Sequence, residues 1–175
     1  NGKGRYPWIE TPNLDNLAES GVRFTNSFVV TSLCSPSRAS FLTGQYGHTN
    51  GIINNKTAFS KPSFVSTLQR AGYYTAQFGK WHMGDEDDKP QAGFDYWLSF
   101  RGQGMYNDPT FNINGQQVKQ PEGSYTSDRL TDYAVEWLEN RDANKPFFLY
   151  LSHKAVHAEF TPAERHKGLH DKTPI

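Results

Sequence analysis

Twice along this 175-residue chain a helix-start signal, an apolar helical stripe, a glycine and a strand-like apolar run follow one another, and a third helix and strand follow without the glycine. Few folds accept that order. Thr11-Pro12 reads as an N-cap with proline at the first helical position, Leu14 and Leu17 supply the stripe, and Gly21 sits where a C-cap glycine belongs. From Val22 the apolar positions alternate through Phe24 and Phe28 to Val30, which predicts a strand entering the core. Ser35-Pro36 then repeats the cap-and-proline signal, and Ala39, Phe41 and Leu42 run to Gly44. In the next unit Ser63 caps a helix through Val65, Leu68 and Ala71 to Gly72, and residues 73–78 form a strand ending at Gly79. That strand delivers Lys80, Trp81 and His82. In the last unit a helix from about Ser127 carries Leu130, Tyr133, Ala134, Trp137 and Leu138 on one face, and residues 146–151 are a near-continuous apolar strand. It delivers His153, Lys154 and His157.

Residues 84–125 show no sustained periodicity and are read as a loop-rich insertion with functional loops or a small hairpin. No linker divides the chain and no internal repeat appears. Alternating helices and buried-type strands predict an α/β fold with a largely parallel sheet. Such sheets bind ligands outside the carboxyl ends of their strands. The clusters at Cys34, at Lys80 and His82, and at His153 and His157 all follow predicted strands, so one rim should gather them.

Composition narrows the partners more than the fold. Lys+Arg and Asp+Glu are both 18, which leaves no basic footprint for nucleic acid and no acidic tail. Hydrophobic residues are only 35%, but the balanced charge and 14% aromatic content argue against disorder. No stretch is long and apolar enough for a membrane span. The single cysteine, Cys34, excludes a disulfide framework within the chain. Asn1 in place of Met, and closing residues without a helix stop, suggest a piece of a longer chain.

Cys34 lies beside a predicted helix N-terminus, where free backbone N–H groups and the helix dipole favour an anion. Arg38, placed in the first turn of that helix, can fork onto anion oxygens, and Lys80 adds a point charge. His82, His157 and His153 can move protons near neutral pH. Together they describe an oxyanion-ester hydrolase. The plainer alternatives are a buried structural cysteine and ordinary surface cations. His166 and His170 belong to a solvated polar tail, Trp137 and Tyr133 to the core. The run from Asp85 to Asp88 lacks the spacing of a calcium loop and reads as a solvated turn.

Residues 34–44, Cys-Ser-Pro-Ser-Arg-Ala-Ser-Phe-Leu-Thr-Gly, resemble the first signature of the type I sulfatases, C-x-P-S-R followed by T-G. Residues 72–84 are similar to their second signature. Residues 11–18 with 21–24, and residues 147–157, are also similar to family segments. Gly93 to Trp97 and Asn107 to Thr110 resemble carbohydrate-directed bacterial members.

The resemblance implies an alkaline-phosphatase-like fold, a calcium ion, and conversion of Cys34 to formylglycine by a separate formylglycine-generating or radical maturase enzyme. A thiolate attacking a sulfate ester has no easy exit, whereas an aldehyde hydrate attacks with one hydroxyl and collapses through the other. Carried onto this sequence, Cys34 is the nucleophile precursor and, as formylglycine, a metal ligand; the remaining ligands are expected outside this chain. Arg38 stabilises the formylglycine hydroxyl, Lys80 holds a sulfate or bridging oxygen, and His82 takes the proton that drives the collapse. His157 contacts sulfate and assists the leaving oxygen, while His153 is a supporting substrate contact. The implied activity is hydrolysis of a sulfate monoester, on a carbohydrate or an aryl sulfate, in the periplasm or outside the cell. The same superfamily leaves open a phosphomonoester or phosphonate monoester hydrolase, and a non-catalytic glycan-binding relative would use Trp81 and Trp97 as sugar platforms. Residues 1–175 would be part of the N-terminal catalytic domain, cut at both ends and inactive alone.

Overall fold

A computed structural model describes residues 8–84 and 87–173, and packing divides the chain into two units. One takes in residues 1–29 with 162–175, and the other is Val30–Thr161. Residues 21–30 are exposed throughout, so nothing in that stretch joins two elements into one core.

In the first unit helix α1, Pro12–Ser20, forms where proline at the start predicts it. Thr11 donates its hydroxyl to Asp15 Oδ1 at 3.2 Å and leaves the backbone uncapped, and Gly21, at φ −130°, is not a left-handed cap. Leu14 and Leu17 are exposed. The strand predicted from Val22 is absent: Val22, Phe24 and Phe28 are exposed, and no described strand pairs with them. Alternation only prepares a strand, and a ladder needs a neighbour. His166, at the end of a 3₁₀ turn over Glu164–His166, and His170 are exposed as expected, the latter tilted against Trp8.

The second unit holds helices α2 (Cys34–Thr43), α3 (Gly47–Asn50), α4 (Phe64–Arg70) and α5 (Thr126–Asn140). Its strands are β1 (Tyr74–Lys80), β2 (Tyr96–Phe100), β3 (Thr110–Ile113), β4 (Gln116–Lys119) and β5 (Phe147–Ser152). The sheet order is β4-β3-β2-β1-β5, with β1 parallel to both neighbours and β3 antiparallel to β2 and β4. The parallel sheet is therefore its three central-to-edge strands, finished by a hairpin. Residues 84–125, read as loops or a small hairpin, supply that hairpin and also β2, so they carry three of the five strands. Asn114 and Gly115, both at positive φ, make the two-residue hairpin turn.

Helices cover both faces. Leu130, Ala134 and Trp137 of α5 pack on Ala76, Phe78, Leu98 and Phe111. On the other face Ala39 and Leu42 of α2 and Val65 of α4 close over Trp81 and Trp97. Each large side chain removed from water in this way contributes about 1.5–3 kcal/mol. Trp81 and Trp97 are each 1% exposed, so neither offers a sugar platform, which corrects the basis of the glycan-binding alternative. Strand β5 is only half-buried because it is an edge of the described sheet, not a strand enclosed on all sides.

Asp95 latches β2 to β1, accepting from the Thr75 N–H at 2.9 Å, the Thr75 hydroxyl at 3.0 Å and Gln69 at 2.6 Å. Asp88 is 6% exposed and accepts from Gln117 at 2.9 Å, so it is no part of a solvated turn; Asp85 and Glu86 lie outside the described residues.

Candidate active site

Registers align the carboxyl ends of the parallel strands: Gly79 pairs with Ser99 on one side and Ser152 on the other. Lys80 ends β1, residues 101–105 follow β2, and residues 153–157 follow β5. Cys34 reaches this rim from the start of α2, although no described strand precedes it.

Helix α2 begins at Cys34 itself, capped by extended Leu33, so Ser35 is not the cap. The Ser35 N–H donates to Asn55 Oδ1 at 3.0 Å and its hydroxyl to the His82 carbonyl at 2.6 Å. Pro36 has no N–H, and that of Ser37 bonds the Leu33 carbonyl at 2.9 Å. The free backbone donors expected beside Cys34 are therefore largely spent. An anion here must be held by side-chain cations, with the helix dipole as a lesser aid.

The earlier start also places Arg38 in the second turn, four residues after Cys34 and on the same face. Its Nη1 donates to the Lys80 carbonyl at 2.7 Å and to Ser152 Oγ at 2.8 Å, tying the ends of β1 and β5. Lys80 is 4% exposed and aims Nζ at Cys34 Sγ, 3.5 Å away. Burial pushes its ammonium below the ordinary lysine value; Cys34 opposes this, and the positive charges of Arg38 and Lys154 add to it.

His82 is buried and held at φ +45°, a left-handed conformation kept at some cost in strain. Gln103 stands beside both groups: its Oε1 accepts from Lys80 Nζ, and its Nε2 lies 3.3 Å from His82 Nε2. His157 is half-buried, its Nδ1 2.9 Å from the Ala158 carbonyl and its own carbonyl accepting the Tyr106 hydroxyl at 2.5 Å. Cys34, Ser37, Arg38, Tyr150 and His157 line an open groove of about 680 Å³. His153 does not line it. Its Nδ1 is buried without a hydrogen bond, and burial pushes its pKa down.

Residues 34, 38, 80, 82 and 157 thus meet at one rim. Lys154, delivered by the last predicted strand but given no role, joins them, and so does Gln103, which was not among the candidates read from the sequence. Lys154 is 4% exposed, with Nζ 3.3 Å from the Gln103 carbonyl and 4.6 Å from the centre of the Tyr106 ring. The signal for Gln103 was a polar residue between two glycines, Gly102 and Gly104, both at positive φ.

The side chains present are cations, amides and imidazoles. Among the described residues no three His, Cys, Asp or Glu gather in one place. Calcium takes 6–8 oxygen ligands. These described residues alone do not compose such a shell. Position 34 does suit a modified side chain: Cys34 is a free thiol, half-buried, on the groove and facing Lys80.

A mixed sheet covered by helices on both faces, with a cysteine at a helix start and cations at the carboxyl rim of its parallel strands, defines a protein of the α/β class. Within that class the chain belongs to the sulfatase family, whose profile matches residues 3–173. Its fold is the alkaline-phosphatase-like one of that family. The N-acetylglucosamine-6-O-sulfatase of Bacteroides thetaiotaomicron is 44% identical over 170 residues, covering 94% of this chain and 29% of the relative. The N-acetylglucosamine-6-sulfatase of Capra hircus is 29% identical over 188 residues, covering 94% of this chain and 33% of its own length. A solved structure of a protein in complex with its substrate D-glucosamine-2-N,6-O-disulfate aligns with TM-score 0.88 and 42% identity, covering 95% of this chain and 34% of that chain. The chain spans about a third of the length of the relatives it matches.

Proposed function

We propose that the protein is a carbohydrate sulfatase that hydrolyses a sulfate monoester to an alcohol and sulfate, with a 6-O-sulfated glucosamine as the first substrate to test. The observation that carries this reading is Lys80 Nζ held 3.5 Å from Cys34 Sγ at a rim shared with Arg38, His82 and His157. The activities for which the relatives are named support the sugar. Formylglycine and calcium are general features of the family and enter the proposal through membership. When Cys34 has been oxidised by a maturation enzyme, formylglycine supplies an aldehyde hydrate where a thiol stood. Of the chain's own groups, Lys80 neutralises an ester oxygen at residue 34 and Arg38 keeps the two strand ends together beneath it. His82 accepts a proton at Nε2, and His157 presents its ring to the leaving oxygen from the groove wall. The proposed location is the periplasm or the cell exterior; no described helix is long and apolar enough to cross a membrane.

The test uses full-length protein from its native host. Mass spectrometry of the Cys34 peptide should show an aldehyde, and sulfate should be released from a 6-O-sulfated glucosamine faster than phosphate from the matching phosphate ester. An unmodified thiol with no sulfate release, or faster phosphate release, would overturn the reading.

A further inference from the structure

The loop after β2 carries a side chain to which the reaction above gives no part. We infer that Gln103 is a positioning residue: it fixes the Lys80 ammonium beside residue 34 and sets the tautomer of His82. This rests on the roles proposed for Lys80 and His82.

The amide cannot face either way. An ammonium has three donors and no acceptor, so the Gln103 oxygen must be the atom turned to Lys80 Nζ. The NH₂ group is then the atom turned to His82 Nε2, at 3.3 Å. A donor facing a ring nitrogen needs a lone pair there, so the proton of neutral His82 belongs on Nδ1. One side chain thereby keeps the proton of resting His82 off Nε2, and leaves the Lys80 ammonium little room to swing away from residue 34.

The loop is built to hold that amide in place. Gly102 and Gly104 take φ of +53° and +66°, and a Cβ on Gly104 would meet the Phe100 ring at 2.5 Å. The Gln103 carbonyl accepts from buried Lys154 at 3.3 Å, and the Lys154 ammonium lies over the Tyr106 ring. Thr126 anchors the same loop from α5, its N–H donating to the Tyr106 carbonyl at 2.8 Å and its hydroxyl to the Met105 carbonyl at 2.5 Å. Lys154, just after β5, and Thr126, at the start of α5, therefore fix the backbone from which Gln103 projects.

The test is ¹⁵N imidazole NMR on full-length protein, at a pH where the ring is neutral, with His82 assigned by comparison with His82→Asn. The native protein should show Nδ1 protonated and Nε2 bare. Gln103→Glu has nearly the same shape and still accepts from Lys80, but it cannot donate to His82, so the proton should move to Nε2. Gln103→Ala should give a mixture. Both variants should lose kcat by roughly 10–100-fold on the sulfated sugar, with KM changed far less, the signature of lost alignment and not of lost binding. A native His82 already protonated on Nε2, or a tautomer unmoved in Gln103→Glu, would overturn the inference. Gln103→Glu carries the decision should the alanine variant fail to fold. Absence of sulfate-ester turnover in the native protein would refute the proposed function alone, since the tautomer is read without turnover.

Discussion

His153 shows how burial alone can make a residue sensitive to pH. Its ring is half-buried, Nδ1 has no hydrogen bond, and desolvation lowers its pKa from the ordinary 6.5. The unfolded chain therefore binds the proton more readily than the folded one. The resulting stability is intact above about pH 6.5 and is lost as pH falls through the lower folded value. His153→Asn should flatten this part of the stability curve, measured as the difference between variant and native denaturation midpoints from pH 7.5 to 5. An unchanged slope would show that His153 does not carry it. Asp95 has a pKa on the low side although burial would raise it, because Thr75 and Gln69 donate to its carboxylate and outweigh that cost.

At the scale of elements, the glycine ending the straight part of β1 is the most demanding position. Gly79 has φ +96°, and a Cβ there would lie 2.1 Å from the Ser152 carbonyl oxygen and 3.2 Å from Leu130 Cδ1. Gly79→Ala should destabilise the fold by about 2–4 kcal/mol, read as a fall in the urea midpoint with loss of the β1–β5 contact. A midpoint within error of the native one would contradict this geometry. Helices α1, α2, α4 and α5 and strands β1 and β5 were legible from proline and periodicity, although the caps read at Thr11 and Ser35 do not form, and the four-residue α3 carried no such signal. Strand β2 was not: Tyr96 to Phe100 is short and flanked by loops, and its identity comes from pairing with β1 rather than from its own pattern. Asn114-Gly115 marked the hairpin turn plainly, but without β2 there was no sheet edge to attach it to. The segment from Val22 to Val30 failed in the opposite sense, with a strand-like pattern and no partner. At the site the rim rule placed Lys80, His82 and His157 from sequence, and with β2 hidden it could not reach Gln103.

Over the whole of the second unit, apolar surface remains uncovered. Phe41, Phe147 and Leu151 are exposed at 57%, 40% and 37%, and β5 presents an open edge among the described strands. Patches and edges of this kind seek partners. A preparation limited to these 175 residues should self-associate on size-exclusion chromatography, bind a hydrophobic dye and release no sulfate. A monomer with sulfatase turnover would contradict this expectation.

The strap that Arg38 makes between the Lys80 carbonyl and Ser152 has a consequence for the growing polypeptide. Strands β1 and β2 are near neighbours in the chain and can pair early, whereas β5 lies some seventy residues beyond β1 and must close a long loop first. Until residue 152 has left the ribosome, the second anchor of Arg38 does not exist, and neither do Lys154 and His157. Everything upstream can fold around Trp81 and Trp97 while the rim is still only half written, so the arrival of β5 brings Tyr150 and His157 to the groove.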